Sequence, residues 1–478
     1  LLNTLSFSSI MLEYRRERFR MNGNNSWTIA TAGQASRDGR LSPTSLLDLH
    51  LQRIAYDEPS YRTFILIMEE EARAQARQAE QELKNGVDRG PLHGIPISVK
   101  DMIAYAGIPM TNGSGRTLPF KPSVHAHIVT QLLEAGAVII GKSHLHEFAY
   151  AKHHPAYGAT SNPYHSGRLP GGSSSGSAAG VAAEFALGSI GTDSAGSIRV
   201  PASFCGVVGF KPTTNRLSLA GITPLAPSLD HAGIITRTCE DASLLFDELV
   251  LKPNVTTKET DSRIRRQPLT APPRFGVPLA YLKSTTDSEV RDAVLEVVRT
   301  LEVHGATVEW LPIDLPIQEI REKTWTILHY EAYSTHSNLL PDWAEGYSET
   351  LRSNLRVGQA ITEADYKDCL SWRDSSSRLI DQLFTDIDVI LTPTCPVTAG
   401  PIHDTSAKRH ANGEFTPLAN MWGLPALTLP IGLSQIGLPI GLQLTGRQDK
   451  DHIVLAAGVF IEQILDAAGL WQLQSLGL

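Results

Sequence analysis

The sequence predicts a layered α/β fold, and three observations carry that expectation. Helical and strand-like segments alternate through most of the 478 residues. Hydrophobic residues make up 42% and charged residues 19%, which supplies enough apolar side chain for a large core. The charge-free stretch 415–446 reads as buried strands, because Pro417, Pro425, Pro430 and Pro439 would break a spanning helix.

The elements follow in order. Ser42 caps a helix with Pro43 at its first position, and Leu46, Leu47, Leu49 and Ile54 supply its apolar face. Residues 69–84 form a second helix, acidic in its first turn and ended by Gly86. Residues 95–99 form a strand that delivers Lys100 at its end. Ser123 is expected to cap a helix running to Ala135, with a buried strand at 137–140 after Gly136. A small-residue helix over 174–185 precedes an apolar strand at 186–190. Alternation continues at 275–277, 287–303, 307–311, 389–391, 427–429 and 452–464, with a turn at Ser434-Gln435 between two late strands. Residues 1–40 read as an N-terminal extension and 41–473 as one large domain, in which 252–385 is a more polar, more helical variable lobe.

A formal charge of −8 and a pI near 6.1 argue against a nucleic-acid partner, and the short basic stretch at 14–18 reads as a solvated tail. Cys205, Cys239, Cys369 and Cys395 are too scattered for a disulfide framework or a structural zinc site. The apolar residues at 1–12 precede the basic ones, the reverse of a signal peptide. These features lead to the expectation of a cytoplasmic chain without membrane partners.

Two motifs fail on local structure. Residues 136–143 satisfy the phosphate-loop pattern G-x-x-x-x-G-K-[ST], but the variable positions Ala-Val-Ile-Ile prefer a strand to a loop of inward N–H groups. Gly172-Ser173-Ser174-Ser175-Gly176 satisfies the G-x-S-x-G elbow with Ser174 as nucleophile, yet a loop precedes it where an elbow needs a strand. His144, His146, His153 and His154 cluster, but Tyr150 stands where an HExxH zinc motif needs its second histidine.

A third constellation is more specific. Gly171-Gly172-Ser173-Ser174-Ser175-Gly176 and Gly191-Thr192-Asp193-Ser194-Ala195-Gly196-Ser197-Ile198-Arg199 are glycine loops whose Ser173 and Ser197 lie 24 residues apart. They bracket a helix and strand short enough to return the second loop beside the first. These segments resemble the amidase-signature family. So do residues 90–101 around Lys100, and 420–426 and 437–443 near the C-terminus. The similarity extends from about Leu41 over nearly the whole chain.

The resemblance implies a large mixed sheet sandwiched by helices, with no cofactor and no metal. It implies Ser197 as nucleophile, Ser173 as a bridging serine held by a cis peptide, and Lys100 as base. The substrate would be a small amide, carbamate or urea-type molecule, and the assembly a homodimer. An amidotransferase subunit releasing ammonia to a partner, or an ester hydrolase, stands as an alternative. Lys100 can accept a proton only when neutral, which at pH 7 would cost an exposed lysine roughly 4.6 kcal/mol; burial lowers that cost. Asp101 should point to the opposite face of the strand. The backbone N–H groups of Ser194, Ala195, Gly196 and Ser197 are expected to form the oxyanion hole, with Asp193 and Arg199 supporting the loop. Ala195 replaces the more usual glycine, which tilts the expected acyl group toward small urea- or carbamate-like ones. The family's common Asn after Gly-Lys-[ST] is replaced by Ser143 or His144, and Tyr150 and Ala151 fall where the pocket is lined, contacting substrate or simply packing.

Overall fold

The computed structural model describes residues 27–115, 120–250, 271–283, 287–313, 315–339, 346–402 and 413–470. The expected basic tail at 14–18, residues 252–270 of the lobe and 471–473 at the end of the domain lie outside them.

Among the described residues, eleven strands form one mixed sheet: β1 (Phe64–Ile67), β2 (Pro96–Lys100), β3 (Val138–Ser143), β4 (Gly188–Asp193), β5 (Val208–Lys211), β6 (His231–Thr236), β7 (Phe275–Pro278), β8 (Val308–Leu311), β9 (Val389–Pro393), β10 (Ala426–Leu433) and β11 (Pro439–Gly446). Their order is β1-β3-β2-β4-β6-β5-β10-β11-β9-β7-β8. The trio β3-β2-β4 is parallel, β4 to β9 pair antiparallel, and β9-β7-β8 is parallel again. The tight turn from β10 to β11 closes where expected, with Ser434 N–H donating to Leu438 O (2.8 Å).

Helices cover both faces, because alternate strand residues are apolar on each side. On one face Ile97, Val99, Ile139, Ile190, Leu427 and Leu442 pack with helices Cys239–Leu249, Ser288–Val303 and Asp451–Ala467. On the other, Val138, Ile140 and Phe185 meet helices Pro43–Tyr61 and Glu69–Lys84, while Ile198, Ala202 and Ile235 meet the small-residue helix Ser175–Ala182. Within the middle stretch, β7 and β8 extend the sheet. Helices Ile317–Leu339, Glu349–Ala360 and Glu363–Ser375 form a lobe around Ile327, Leu328, Leu351 and Leu355. Helix Ile29–Arg37 lies inside the expected N-terminal extension, yet Ile29 and Ala32 are buried in the main core and Asp241 accepts from the N–H of Ile29 (3.0 Å).

One helix start differs from expectation. Ser123 caps nothing; the helix is His127–Glu134. Its entry is set instead by distant carbonyls, Ala126 N–H donating to Ala104 O (2.8 Å) and His127 N–H to Ala220 O (3.0 Å). Among the described residues, no helix is long and apolar enough to cross a membrane.

Candidate active site

Lys100 ends β2, an interior strand third from one edge of the sheet, and is 0% exposed. Its Nζ lies 2.7 Å from Ser173 Oγ, 2.8 Å from Thr192 Oγ1 and 2.9 Å from Ser174 Oγ. Burial pushes the amine down to about 7, against the Asp193 and Asp230 carboxylates, which pull it up. Asp101 faces Lys142 instead (3.2 Å) and leaves Lys100 alone.

Counting protons orients this amine. Ser174 Oγ donates to the Thr192 carbonyl (3.1 Å), and Thr192 Oγ1 donates to Met102 Sδ (3.3 Å). Each hydroxyl has one proton and has spent it, so each accepts from Lys100. A neutral amine has two hydrogens, which these bonds use. As an ammonium Lys100 donates to Ser173 Oγ as well, and as a neutral amine it has a lone pair left to accept from the Ser173 O–H.

The Gly172–Ser173 peptide is cis. The return of the second loop beside the first is direct: Ser174 N–H donates to Ser197 O at 3.1 Å. Ser197 and Ala195 are half-buried, whereas Asp193, Ser194 and Gly196 between and before them are buried.

The loop is built on Asp193 and Arg199, both with side chains 0% exposed. Asp193 Oδ1 accepts from Gly196 N–H (2.7 Å) and Oδ2 from Ile198 N–H (3.1 Å). Arg199 forks onto both oxygens (Nη2–Oδ1 3.0 Å, Nε–Oδ2 3.1 Å) and reaches Gln443 Oε1 (2.8 Å) and Asn420 Oδ1 (2.6 Å). Burial alone would raise the Asp193 carboxyl, but the guanidinium and the hydrogen bonds hold it far below the usual carboxylate range.

Gly196 is irreplaceable by shape: its φ is +123° and a Cβ would come 2.2 Å from Thr416 Oγ1. Ala195 tolerates its methyl, which joins the apolar cluster of the lobe, while its carbonyl accepts from Thr416 Oγ1 (2.7 Å). The expected four-amide oxyanion hole needs a correction. Gly196 N–H donates to Asp193 Oδ1 (2.7 Å) and is not free to receive an oxyanion.

The other expected residues resolve as follows. Tyr150 is 8% exposed; its hydroxyl donates to Asn354 O (3.0 Å) and is bonded to His329 Nδ1, so both partners come from lobe helices. Ala151 is buried in the same cluster. The geometry fits the packing alternative for this pair. Lys142 is a strand residue paired with Asp101, which excludes the phosphate loop. Ser174 is fully buried at the start of a helix with no strand before it, so no elbow forms. Among the described residues, no group of three His, Cys, Asp or Glu side chains is placed to hold a metal.

Sequence reasoning assigned no role to Thr192, Thr416, Asn420, Gln443 or Asp230, and weighed Ser174 only as an elbow nucleophile. Asn420 and Gln443 sit in the C-terminal segments 420–426 and 437–443, where buried amides beside glycine turns were the available signal. Asp230 had none. Its link is to Ser194, 36 residues away, at 2.5 Å.

The family model described as Amidase matches residues 45–455. The chain is 34% identical to an amidase of Pseudomonas putida over 455 residues, covering 91% of this chain and 95% of that one. It is 32% identical to a glutamyl-tRNA(Gln) amidotransferase subunit of Chloroflexus aggregans over 476 residues, covering 92% and 96%. A crystal structure of an amidase matches with a TM-score of 0.82 at 34% identity, over 91% of this chain and 99% of that one. Likeness of this length, on the same sheet, means that the chain belongs to the amidase-signature family and is a hydrolase of carbon–nitrogen bonds.

Proposed function

We propose that this chain cleaves a small amide through an acyl-enzyme on Ser197, with Ser173 relaying the proton and Lys100 as base. The observation that carries the reading is the buried amine of Lys100, whose Nζ lies 2.7 Å from the Ser173 hydroxyl oxygen.

A serine hydroxyl attacks a carbonyl only as a neighbour removes its proton. Ser197 forms the new C–O bond while its proton passes to Ser173 and the Ser173 proton passes to Lys100. The developing oxyanion is received by the free amides of the 194–197 loop; one such donor is typically worth about 3 kcal/mol. Lys100, now an ammonium, returns a proton through Ser173 to the leaving nitrogen as the C–N bond breaks. An amine does not leave as an anion, so this return matters more for amides than for esters. Water, deprotonated by the same relay, then frees the acyl group. Carbamates and urea-type substrates fit the same steps, and the methyl of Ala195 beside the nucleophile favours a small acyl group.

The likeness to the Chloroflexus protein supports a second reading, in which the released ammonia passes to a partner. Fluorophosphonate labelling followed by a screen of amides, carbamates and ureas tests the first. Ser197→Ala should abolish labelling and turnover. Labelling that persists in this variant would overturn the assignment. Ammonia release from glutamine only in the presence of a partner protein would favour the second reading.

A further inference from the structure

The amide-bearing loop is held from two sides. One is the Asp193–Arg199 platform. The other is an aspartate on a separate turn. Ser194 Oγ donates to Asp230 Oδ1 at 2.5 Å, and Asp230 Oδ2 accepts from the N–H groups of Leu225 (2.8 Å) and Ala226 (3.0 Å). Within this turn, Ser228 N–H donates to Glu331 Oε2 (2.9 Å) on the lobe helix Ile317–Leu339. The other oxygen of Glu331 accepts from Tyr366 O–H (2.8 Å) on helix Glu363–Ser375. A continuous set of charge-assisted bonds thus runs from the loop through the 225–230 turn to two lobe helices.

We propose that Asp230 is a positioning residue for the oxyanion-binding loop: by holding Ser194 against the turn, it ties the aim of the Ser194 and Ala195 amides to the seating of the lobe. This rests on the assignment of Ser197 as nucleophile. The physical reason is that both carboxylate oxygens are spent on different partners. A carboxylate accepts from donors on two sides, whereas an asparagine keeps one accepting oxygen for the turn and replaces the short charge-assisted bond to Ser194 with a weaker neutral N–H···O one. The contact is made by the Ser194 side chain, leaving the Ser194 N–H for the substrate. The charged groups bearing on Lys100 are Asp193 and Asp230, and Asp230 in turn faces Glu331.

Ser194→Ala, Asp230→Asn and the double variant test the clamp by steady-state kinetics on an amide that wild type turns over. That wild-type turnover, and its loss in Ser197→Ala, checks the nucleophile separately. Each single variant should lower kcat about tenfold, less than the loss of a whole oxyanion donor, with KM nearly unchanged. The double variant should fall no further than the worse single one, because both remove one contact. Asp230→Asn alone should also move the acidic limb of kcat/KM to lower pH, since a negative charge that favours the Lys100 ammonium is gone. Ser194→Ala leaves that charge in place. Wild-type kcat in Ser194→Ala, or multiplicative losses in the double variant, would overturn the proposal. Ser194→Ala removes only a hydroxyl and tests the clamp even where Asp230→Asn does not fold.

Discussion

Lys100 and Lys142 stand on neighbouring strands one residue out of register, since Lys142 pairs with Val99 and Lys100 with Ser143. Both side chains are fully buried, and burial lowers both amines. Their surroundings differ in kind. Lys142 has a carboxylate 3.2 Å away and donates to Ile103 O at 2.5 Å, so its charge is met within the fold. Lys100 touches three hydroxyls and no carboxylate, so nothing in contact offsets the cost of its charge. Burial without a counter-charge makes a base near neutrality, and burial with one makes a structural tie.

The largest effect should come from breaking the first of the pair. Lys100→Ala is expected to lower amide kcat/KM by about 10³-fold, within the range of general acid–base catalysis, and ester turnover by less. Ser173→Ala should show the same bias toward amides. Equal losses on matched amide and ester substrates would remove the relay from the account.

Lys142 should fail in the opposite way. Lys142→Met leaves Asp101 buried without its cation, and urea denaturation should show a loss of about 3–5 kcal/mol. Adding Asp101→Asn should recover part of that loss. A Lys142 variant of full stability would show that the pair holds nothing together.

The comparison sharpens with pH. Burial brings the Lys100 amine down to about 7, and with its neutral form as the proposed base kcat/KM should rise with pH through that value. A flat profile between about pH 6 and 8 would point to another base. Stability carries the same sign. Lysine unfolds to a value near 10.4, so the unfolded chain binds the extra proton between about 7 and 10.4, and the folded state gains as pH rises across that window. Lys100→Met should therefore be more stable than wild type at neutral pH, by up to ~4 kcal/mol, and lose that advantage toward pH 10. This is the most specific difference between the two lysines.

Much was legible in the sequence because it is written locally. Ser42 caps its helix by accepting from Ser45 N–H, residues 69–84 form the expected helix, and Ile97 and Val99 alternate into the core on the strand that ends at Lys100. The two glycine loops could be placed side by side from the short helix and strand between them. What stayed hidden depends on atoms brought together from far along the chain. The cap at Ser123 lost to carbonyls of Ala104 and Ala220, and the Tyr150 hydroxyl was claimed by His329 and Asn354.

By itself, then, the sequence determined which groups are available: a strand-end lysine, two serines in small-residue loops, and an acid–arginine pair near the second. Tertiary structure alone decided how their protons and lone pairs are spent. Thr192 and Ser174 accept from Lys100 beside Ser173, Asp193 takes the Gly196 N–H, and Asp230 takes the Ser194 hydroxyl. Spacing along a chain constrains where backbone goes, but a hydrogen bond requires a few tenths of an ångström, and only packing sets that.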